Sequence, residues 1–148
     1  MGGSALAAVV NGDHGLDRWA GEHSWQIASS GGSLVASMYV SGSLLYGGVS
    51  NISFVSNTAS SHFGNVYFNM DLAAGTYTVS MQDSYGDGWN WNSYQGGLTI
   101  SGSAVSGGVA SGTVTGSSAS FSFTVLPAPG AMALLGLAGL AGRRRRRA

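Results

Sequence analysis

Cysteine and lysine are absent from this chain of 148 residues, and charged residues make up only 8% of it. The lack of cysteine excludes disulfide bonds, so stability must come from the hydrophobic core or from a bound metal. The basic residues are Arg18 and a C-terminal block of Arg143, Arg144, Arg145, Arg146 and Arg147. Without that block, one basic and six acidic residues leave a net charge of minus five. An acidic body without a basic patch argues against a nucleic-acid partner.

Glycine, by contrast, is abundant, with 25 residues. Polar and apolar residues alternate in short runs about 8–12 residues apart, which is typical of a sandwich or barrel. The predicted strands cover residues 24–27, 34–40, 44–46, 52–55, 63–70, 76–81, 97–100 and 119–126. Residues 101–120 are low in complexity and fit either a long flexible loop or a weak hairpin. We therefore predict an all-β fold, a jelly-roll-like antiparallel β-sandwich, followed by a single short C-terminal apolar helix.

Three segments follow from this pattern. Residues 1–12 are predicted to be the remnant of a secretory signal, or else a disordered N-terminus, because a short apolar run follows a small-residue cleavage-like site. Residues 13–126 form the predicted β-sandwich domain, and residues 127–148 form a tail. Within the domain, Leu72, Gly75 and Tyr77 have the spacing of a tyrosine corner. Trp25 is expected in the core and His14 and His23 in solvent.

The densest polar stretch is residues 83–92, Asp-Ser-Tyr-Gly-Asp-Gly-Trp-Asn-Trp-Asn, between two predicted strands. Glycines 86 and 88 permit positive φ, which lets Asp83 and Asp87 point inward together. Oxygen ligands such as these and Asn90 select hard cations, and an extracellular setting favours Ca²⁺. Tyr85 and Tyr94 stand where a helix-flanked calcium loop needs acidic ligands, so that specific motif is rejected. A different calcium geometry and a simple turn-capping role for the carboxylates both stay open.

Four aromatic residues lie in or beside the same stretch: Tyr85, Trp89, Trp91 and Tyr94. Exposed rings can stack on the faces of sugars, which predicts a carbohydrate-binding module and a polysaccharide partner. The alternative is that Trp89 and Trp91 fold inward and cover one end of the sandwich.

The tail begins with Pro127, Ala128, Pro129 and Gly130, which end the last strand because proline cannot continue a β-ladder. Residues 131–142 are wholly apolar and precede the arginine block. Twelve helical residues span about 18 Å, whereas a bilayer core is about 30 Å thick, so the span is marginal. The arginines would hold that end on the cytoplasmic side.

This order of features resembles a PEP-CTERM sorting signal, with Ala128 at the position of the glutamate in the name-giving motif. The resemblance covers about the last twenty residues. It implies an exported protein of a Gram-negative envelope, held at first in the inner membrane. An exosortase-like enzyme would then cleave near residues 127–130 and release the protein to the cell surface or the extracellular matrix.

The body resembles a secreted β module of extracellular proteins over residues 17–100. The matching residues are Asp17, Trp19, Glu22, Ser24, Trp25, Gly75, Tyr77 and residues 83–88. The resemblance implies a secreted β fold and suggests that Glu22 and Asp17 approach the loop at Asp83 and Asp87. Glu22 and Asp17 therefore join the candidate calcium ligands.

We thus expect an exported surface or matrix protein whose β-sandwich serves a binding or structural role and is stabilised by calcium. The alternative is a carbohydrate-binding module that uses the loop aromatics. Enzymatic activity is not predicted, because neither a nucleophile elbow nor a zinc signature is present. Ser61 and His62 are neighbours in sequence, which is no evidence of a catalytic dyad.

Overall fold

Alternating polar and apolar residues form strands that each turn one face inward. The computed structural model describes residues 6–41, 43–47, 50–53 and 64–144. Its strands are β1 (Ala8–Leu16), β2 (His23–Ser29), β3 (Leu34–Ser41), β4 (Ser43–Gly47), β5 (Ser50–Ser53), β6 (Gly64–Leu72), β7 (Gly75–Asp83), β8 (Asn90–Trp91), β9 (Tyr94–Gln95), β10 (Gly97–Ser101), β11 (Val109–Gly112) and β12 (Ser118–Val125). A 3-10 turn (Ala20–Glu22) precedes β2, and one helix, α1 (Pro129–Arg144), follows β12.

The strands form two antiparallel sheets. Sheet A has the order β11-β10-β1-β6-β5, and sheet B has the order β12-β7-β2-β3-β4. Strands β8 and β9 form a separate two-stranded hairpin. Because the chain passes repeatedly from one sheet to the other, the inner faces of the two sheets share one core. The predicted all-β antiparallel sandwich with a single C-terminal helix is confirmed.

The core follows from the alternation along the longest strands. In β6 every second residue from Val66 to Leu72 is buried, and in β7 the same holds from Tyr77 to Asp83. Trp25 of β2 is 2% exposed and stacks on Phe68 of β6, with ring centroids 5.1 Å apart, so the two sheets meet through large aromatic side chains.

The predicted tyrosine corner is present at the turn between β6 and β7. The Tyr77 hydroxyl donates a hydrogen bond of 2.8 Å to the carbonyl oxygen of Ala73. The Tyr77 ring stacks on Phe123 of β12 at 5.3 Å. This bond therefore fixes the turn where the chain leaves sheet A for sheet B.

Several boundaries differ from the sequence prediction. Strand β1 begins at Ala8 and pairs with both β6 and β10, so residues 8–12 belong to the sandwich rather than to an N-terminal segment. Residues 101–120 contain the connection from β10 to β11, strand β11 itself and the start of β12, with Val105 and Val114 buried. The pair Ser61 and His62 lies outside the described residues.

Helix α1 begins at Pro129, two residues before the predicted apolar run. Its described apolar side chains are exposed: Met132, Leu134, Leu137 and Leu140. Among the helices of the described residues, none has both the length and the apolar character needed to cross a membrane.

Candidate functional site

A carboxylate occupies a core-facing position at one end of the sandwich. Asp83 is the last residue of β7 and continues the inward alternation of Tyr77, Val79 and Met81, so its side chain is only 5% exposed. Its backbone N–H donates to the carbonyl oxygen of Ser117 at 2.9 Å. Strand geometry thus places this acidic group where a hydrophobic residue would ordinarily sit.

The loop after β7 wraps around the Asp83 side chain. Oδ1 accepts hydrogen bonds from the backbone N–H of Tyr85 at 2.9 Å and of Gly86 at 2.6 Å. Gly86 and Gly88 have φ values of 92° and 96°, as the sequence predicted. At Gly88 a Cβ atom would lie 2.7 Å from the Val114 carbonyl oxygen, so only glycine fits there. The turn-capping interpretation is therefore right for Oδ1.

Three carboxylates converge around this loop. The 3-10 turn brings Glu22 close, and its carbonyl oxygen accepts a hydrogen bond of 3.0 Å from the N–H of Ser84. Glu22, Asp83 and Asp87 each offer an oxygen within 4.8 Å of the other two. Two ligands of one calcium ion can lie up to about 5 Å apart, because each Ca–O distance is about 2.3–2.6 Å. Calcium therefore fits the spacing of these three oxygens.

The cluster is electrostatically strained in the absence of a cation. Burial raises the pKa of Glu22, and the nearby carboxylates of Asp83, Asp87 and Asp17 raise it further. Asp83 Oδ2 is buried and has no hydrogen-bond partner among the described residues. A buried carboxylate oxygen without a donor is costly, and a bound cation would satisfy it and separate the like charges.

Asp17 and the amide Asn90, the other two predicted ligands, are not members of this three-carboxylate group. Asp17 is 1% exposed, and its Oδ1 accepts hydrogen bonds from the N–H of Trp19 at 2.7 Å and from Nε2 of His23 at 3.2 Å. Asn90 is exposed in β8, where its backbone pairs with Gln95. The negative charge of Asp17 therefore affects the cluster by raising the pKa of Glu22. Its Oδ1 is hydrogen-bonded to His23.

The four predicted ligand-binding aromatics do not share one environment. Trp89 is fully buried, its ring stacks on His23 at 4.3 Å, and its Nε1 donates to the carbonyl oxygen of Gln82 at 3.2 Å. Its ring cannot receive a ligand, which corrects the predicted role and supports the inward alternative. Trp91 is partly buried, and its ring centroid is 4.8 Å from the guanidinium carbon of Arg18.

Tyr85 and Tyr94 differ from the two tryptophans because their side chains are 77% and 46% exposed. Tyr85 belongs to the loop around Asp83, and Tyr94 belongs to the β8–β9 hairpin. Only part of the predicted aromatic set therefore remains open to a ligand.

A buried polar chain beneath the loop was missed by the sequence analysis. His14 and His23, which were expected in solvent, are 0% and 2% exposed. Trp25 Nε1 donates to His14 Nδ1 at 3.4 Å, and His14 Nε2 lies 3.1 Å from His23 Nδ1. His23 Nε2 lies 3.2 Å from Asp17 Oδ1. If each imidazole carries its single hydrogen on Nε2, all three contacts are donor–acceptor pairs. This hydrogen-bond network therefore assigns the tautomers.

The alternation of the strands was the signal that could have revealed the two histidines. His14 shares the inward face of β1 with Val10 and Leu16, and His23 shares that of β2 with Trp25. Burial lowers the pKa of His14 well below its ordinary value, and His23 lowers it further. Burial therefore favours the neutral form of the His14 imidazole.

At the other end of the molecule, the segment that leads from β12 into the first residues of α1 is accessible. Pro127, Pro129 and Gly130 are exposed, and Ala128 is partly exposed. The first arginines of the block, Arg143 and Arg144, lie in the last turn of α1, and residues 145–147 lie outside the described residues.

Comparisons with known proteins identified no similar protein. No protein-family model matches the chain, and neither the search of curated proteins nor the search of solved structures found a match. The arguments for function therefore rest on the geometry of the described residues.

Proposed function

We propose that this chain is an exported surface or matrix protein whose β-sandwich carries a calcium ion held by Glu22, Asp83 and Asp87. The observation that carries the proposal is the buried, donor-free Oδ2 of Asp83 beside two other carboxylates. The ion joins the 3-10 turn to the loop after β7, so its role is structural: it holds that end of the sandwich closed. No catalytic step is part of the proposal.

The proposal explains why acidic groups are concentrated at a place where they repel one another. Without a cation, three carboxylates within 4.8 Å destabilise the folded state, and Glu22 responds with a raised pKa. With calcium bound, the same charges become ligands. The chain has no disulfide bonds, so an ion bound to both the 3-10 turn and the loop after β7 serves as the cross-link between them.

Calcium is expected to raise the melting temperature of the chelator-treated protein. A ligand that binds only the folded state adds about 2.7 kcal/mol of stability at one hundred times its dissociation constant. Asp87→Asn is expected to melt at a higher temperature than the parent without calcium, because one repulsive charge is gone, and to lose the response to added calcium. Thermal unfolding followed by circular dichroism, with calcium or EDTA, measures both effects.

Asp71→Asn is the matched control, because Asp71 is an exposed carboxylate on β6 outside the cluster. It removes the same charge and is expected to respond to calcium as the parent does. A melting curve of the parent that is the same in calcium and in EDTA would contradict the proposal. A full calcium response in Asp87→Asn would also contradict the assigned ligands.

The C-terminal tail supports the export part of the proposal. Exposed leucines on α1 favour an apolar partner, either the inner membrane or a processing enzyme, over open solvent. The exposed Pro127, Pro129 and Gly130 leave the chain accessible to an exosortase-like enzyme directly after the last strand. Arginines behind an apolar helix fit retention on the cytoplasmic side until cleavage.

Intact-mass spectrometry of the protein recovered from the cell surface tests the tail. We expect a mass that lacks everything after the 127–130 region, and we expect a variant with glutamine at residues 143–147 to accumulate uncleaved. A full-length chain recovered from the soluble cytosolic fraction would overturn the export proposal and leave the calcium site untouched.

A further inference from the structure

The outer face of sheet B carries a groove across three strands, β7, β2 and β3. Its volume is about 310 Å³, which is within the range of small ligand sites. Nine residues line it, and the exposed Leu34 gives it an apolar part. Six of the nine face outward from the sheet and carry a hydroxyl or carboxamide group: Ser24, Gln26, Ser37, Tyr39, Ser80 and Gln82. We call this feature the sheet B groove. Neither the predicted calcium ligands nor the loop aromatics belong to it.

The register of the strands arranges the polar side chains of the sheet B groove in rows. Ser80 pairs with Gln26, and Gln26 pairs with Ser37 on the next strand. Gln82 pairs with Ser24 in the same way. Neighbouring strands are about 4.8 Å apart, so each row presents hydroxyl and amide groups at short, regular intervals.

The sheet B groove is uncharged and combines hydroxyl and carboxamide groups with apolar surface. Hydroxyls and carboxamides both donate and accept hydrogen bonds, and the Tyr39 ring, 49% exposed, adds a flat apolar face. No charged side chain lines the groove among the described residues. Such a surface offers no positive charge to a carboxylate or a phosphate and suits a neutral ligand rich in hydroxyl groups.

The uncharged surface continues beyond the groove toward the edge of the sheet. On β7 and β12, Thr78 Oγ1 lies 3.3 Å from Ser122 Oγ, and Thr76 Oγ1 lies 3.2 Å from Thr124 Oγ1. The hydroxyl-bearing face is therefore longer than the groove itself. A ligand that uses it fully would be a chain of several units.

We propose that the sheet B groove binds a neutral oligosaccharide, with Tyr39 under a sugar ring and with Gln26 and Gln82 bonded to its hydroxyl groups. The site goes beyond the calcium proposal and does not depend on it. Gln82 directly precedes Asp83 on β7, and Ser24 lies two residues after Glu22, so the two sites are neighbours in the chain.

Affinity electrophoresis of the full chain through gels containing neutral polysaccharides tests the proposal. The panel is β-glucan, xylan and mannan, with alginate and polygalacturonate as acidic polymers of similar size. We expect retardation by at least one neutral polymer and none by the acidic ones. Tyr39→Ala and Gln26→Ala are expected to weaken binding by about tenfold or more, because each removes a direct contact.

Tyr67→Ala is the matched control, because Tyr67 is an exposed tyrosine, 57% accessible, on β6 of sheet A. It is expected to bind as the parent does, and circular dichroism confirms that all three variants are folded. Runs in calcium and in EDTA separate this proposal from the metal site. Binding confined to acidic polymers, binding to none, or neutral binding that Tyr39→Ala leaves unchanged would each overturn the proposal.

Discussion

Trp89→Ala is expected to lower the free energy of unfolding by about 3–5 kcal/mol, the usual cost of emptying a buried aromatic site. Trp89 is 0% exposed and stacks on His23, and its indole N–H donates to the carbonyl oxygen of Gln82. Its backbone also links two segments, through hydrogen bonds to Val114 at 2.8 Å and from Gly96 at 2.6 Å. Since small domains have about 5–15 kcal/mol of stability in total, the variant should be close to unfolding.

Urea unfolding followed by far-UV circular dichroism measures this loss. Tyr85→Ala is the control, because Tyr85 lies in the same loop but is 77% exposed. Its expected change is within about 0.5 kcal/mol. If the two substitutions cost the same, Trp89 would not be the buried anchor of the loop.

Acidification is expected to destabilise the protein through His14. The pKa of this ring is held well below its ordinary value of 6.5 by burial and by His23. Below pH 6.5 the unfolded chain therefore binds a proton that the folded chain excludes, so stability is full above that pH and falls beneath it. Between about pH 7.5 and about pH 5.5 this single group lowers the free energy of unfolding by on the order of 1 kcal/mol.

Glu22 acts in the opposite direction, because its pKa is raised in the folded state. Folded Glu22 keeps its proton at pH values where the unfolded chain has released it, so its contribution is favourable at low pH and is lost as pH rises past its ordinary value of 4.5 toward the raised one. His14→Gln isolates the histidine, because the Glu22 contribution is common to both proteins and cancels in their difference.

Chemical unfolding across that pH range gives the comparison. Glutamine keeps a donor and an acceptor near Trp25 and His23 but cannot titrate there. The parent should be the more stable protein near pH 7.5, and the difference in stability should shrink by on the order of 1 kcal/mol at the acidic end. A difference that stays constant with pH would show that His14 is not the buried neutral group.

Much of the fold could be predicted because the strands bury only one face. In β7 and β12 the alternation of polar and apolar residues alone identifies the inward residues. The spacing of Tyr77 from Leu72 and Gly75 predicts the tyrosine corner. The short β8–β9 hairpin was not predicted, since two-residue strands carry no periodicity. Strand β1 was not predicted, because its first residues look like a leader.

The candidate site was predictable only in part. Asp83 and Asp87 stand out because carboxylates are rare in this chain and two glycines surround them. The burial of His14 and His23 was not predicted, because histidine occurs both in solvent and in protein cores. The hydrogen-bond partners that the fold supplies decide between the two positions. Which side chains face one another across the sandwich depends on contacts between distant strands, so the link from Asp17 to Trp25 is visible only in the structure.

The most direct test of the calcium site is a crystal structure of the protein grown in calcium chloride. The account predicts anomalous density for one ion at about 2.3–2.6 Å from carboxylate oxygens of Glu22, Asp83 and Asp87, with Asp83 Oδ2 among the ligands. Well-ordered carboxylates that point away from one another, with no ion between them at saturating calcium, would contradict it.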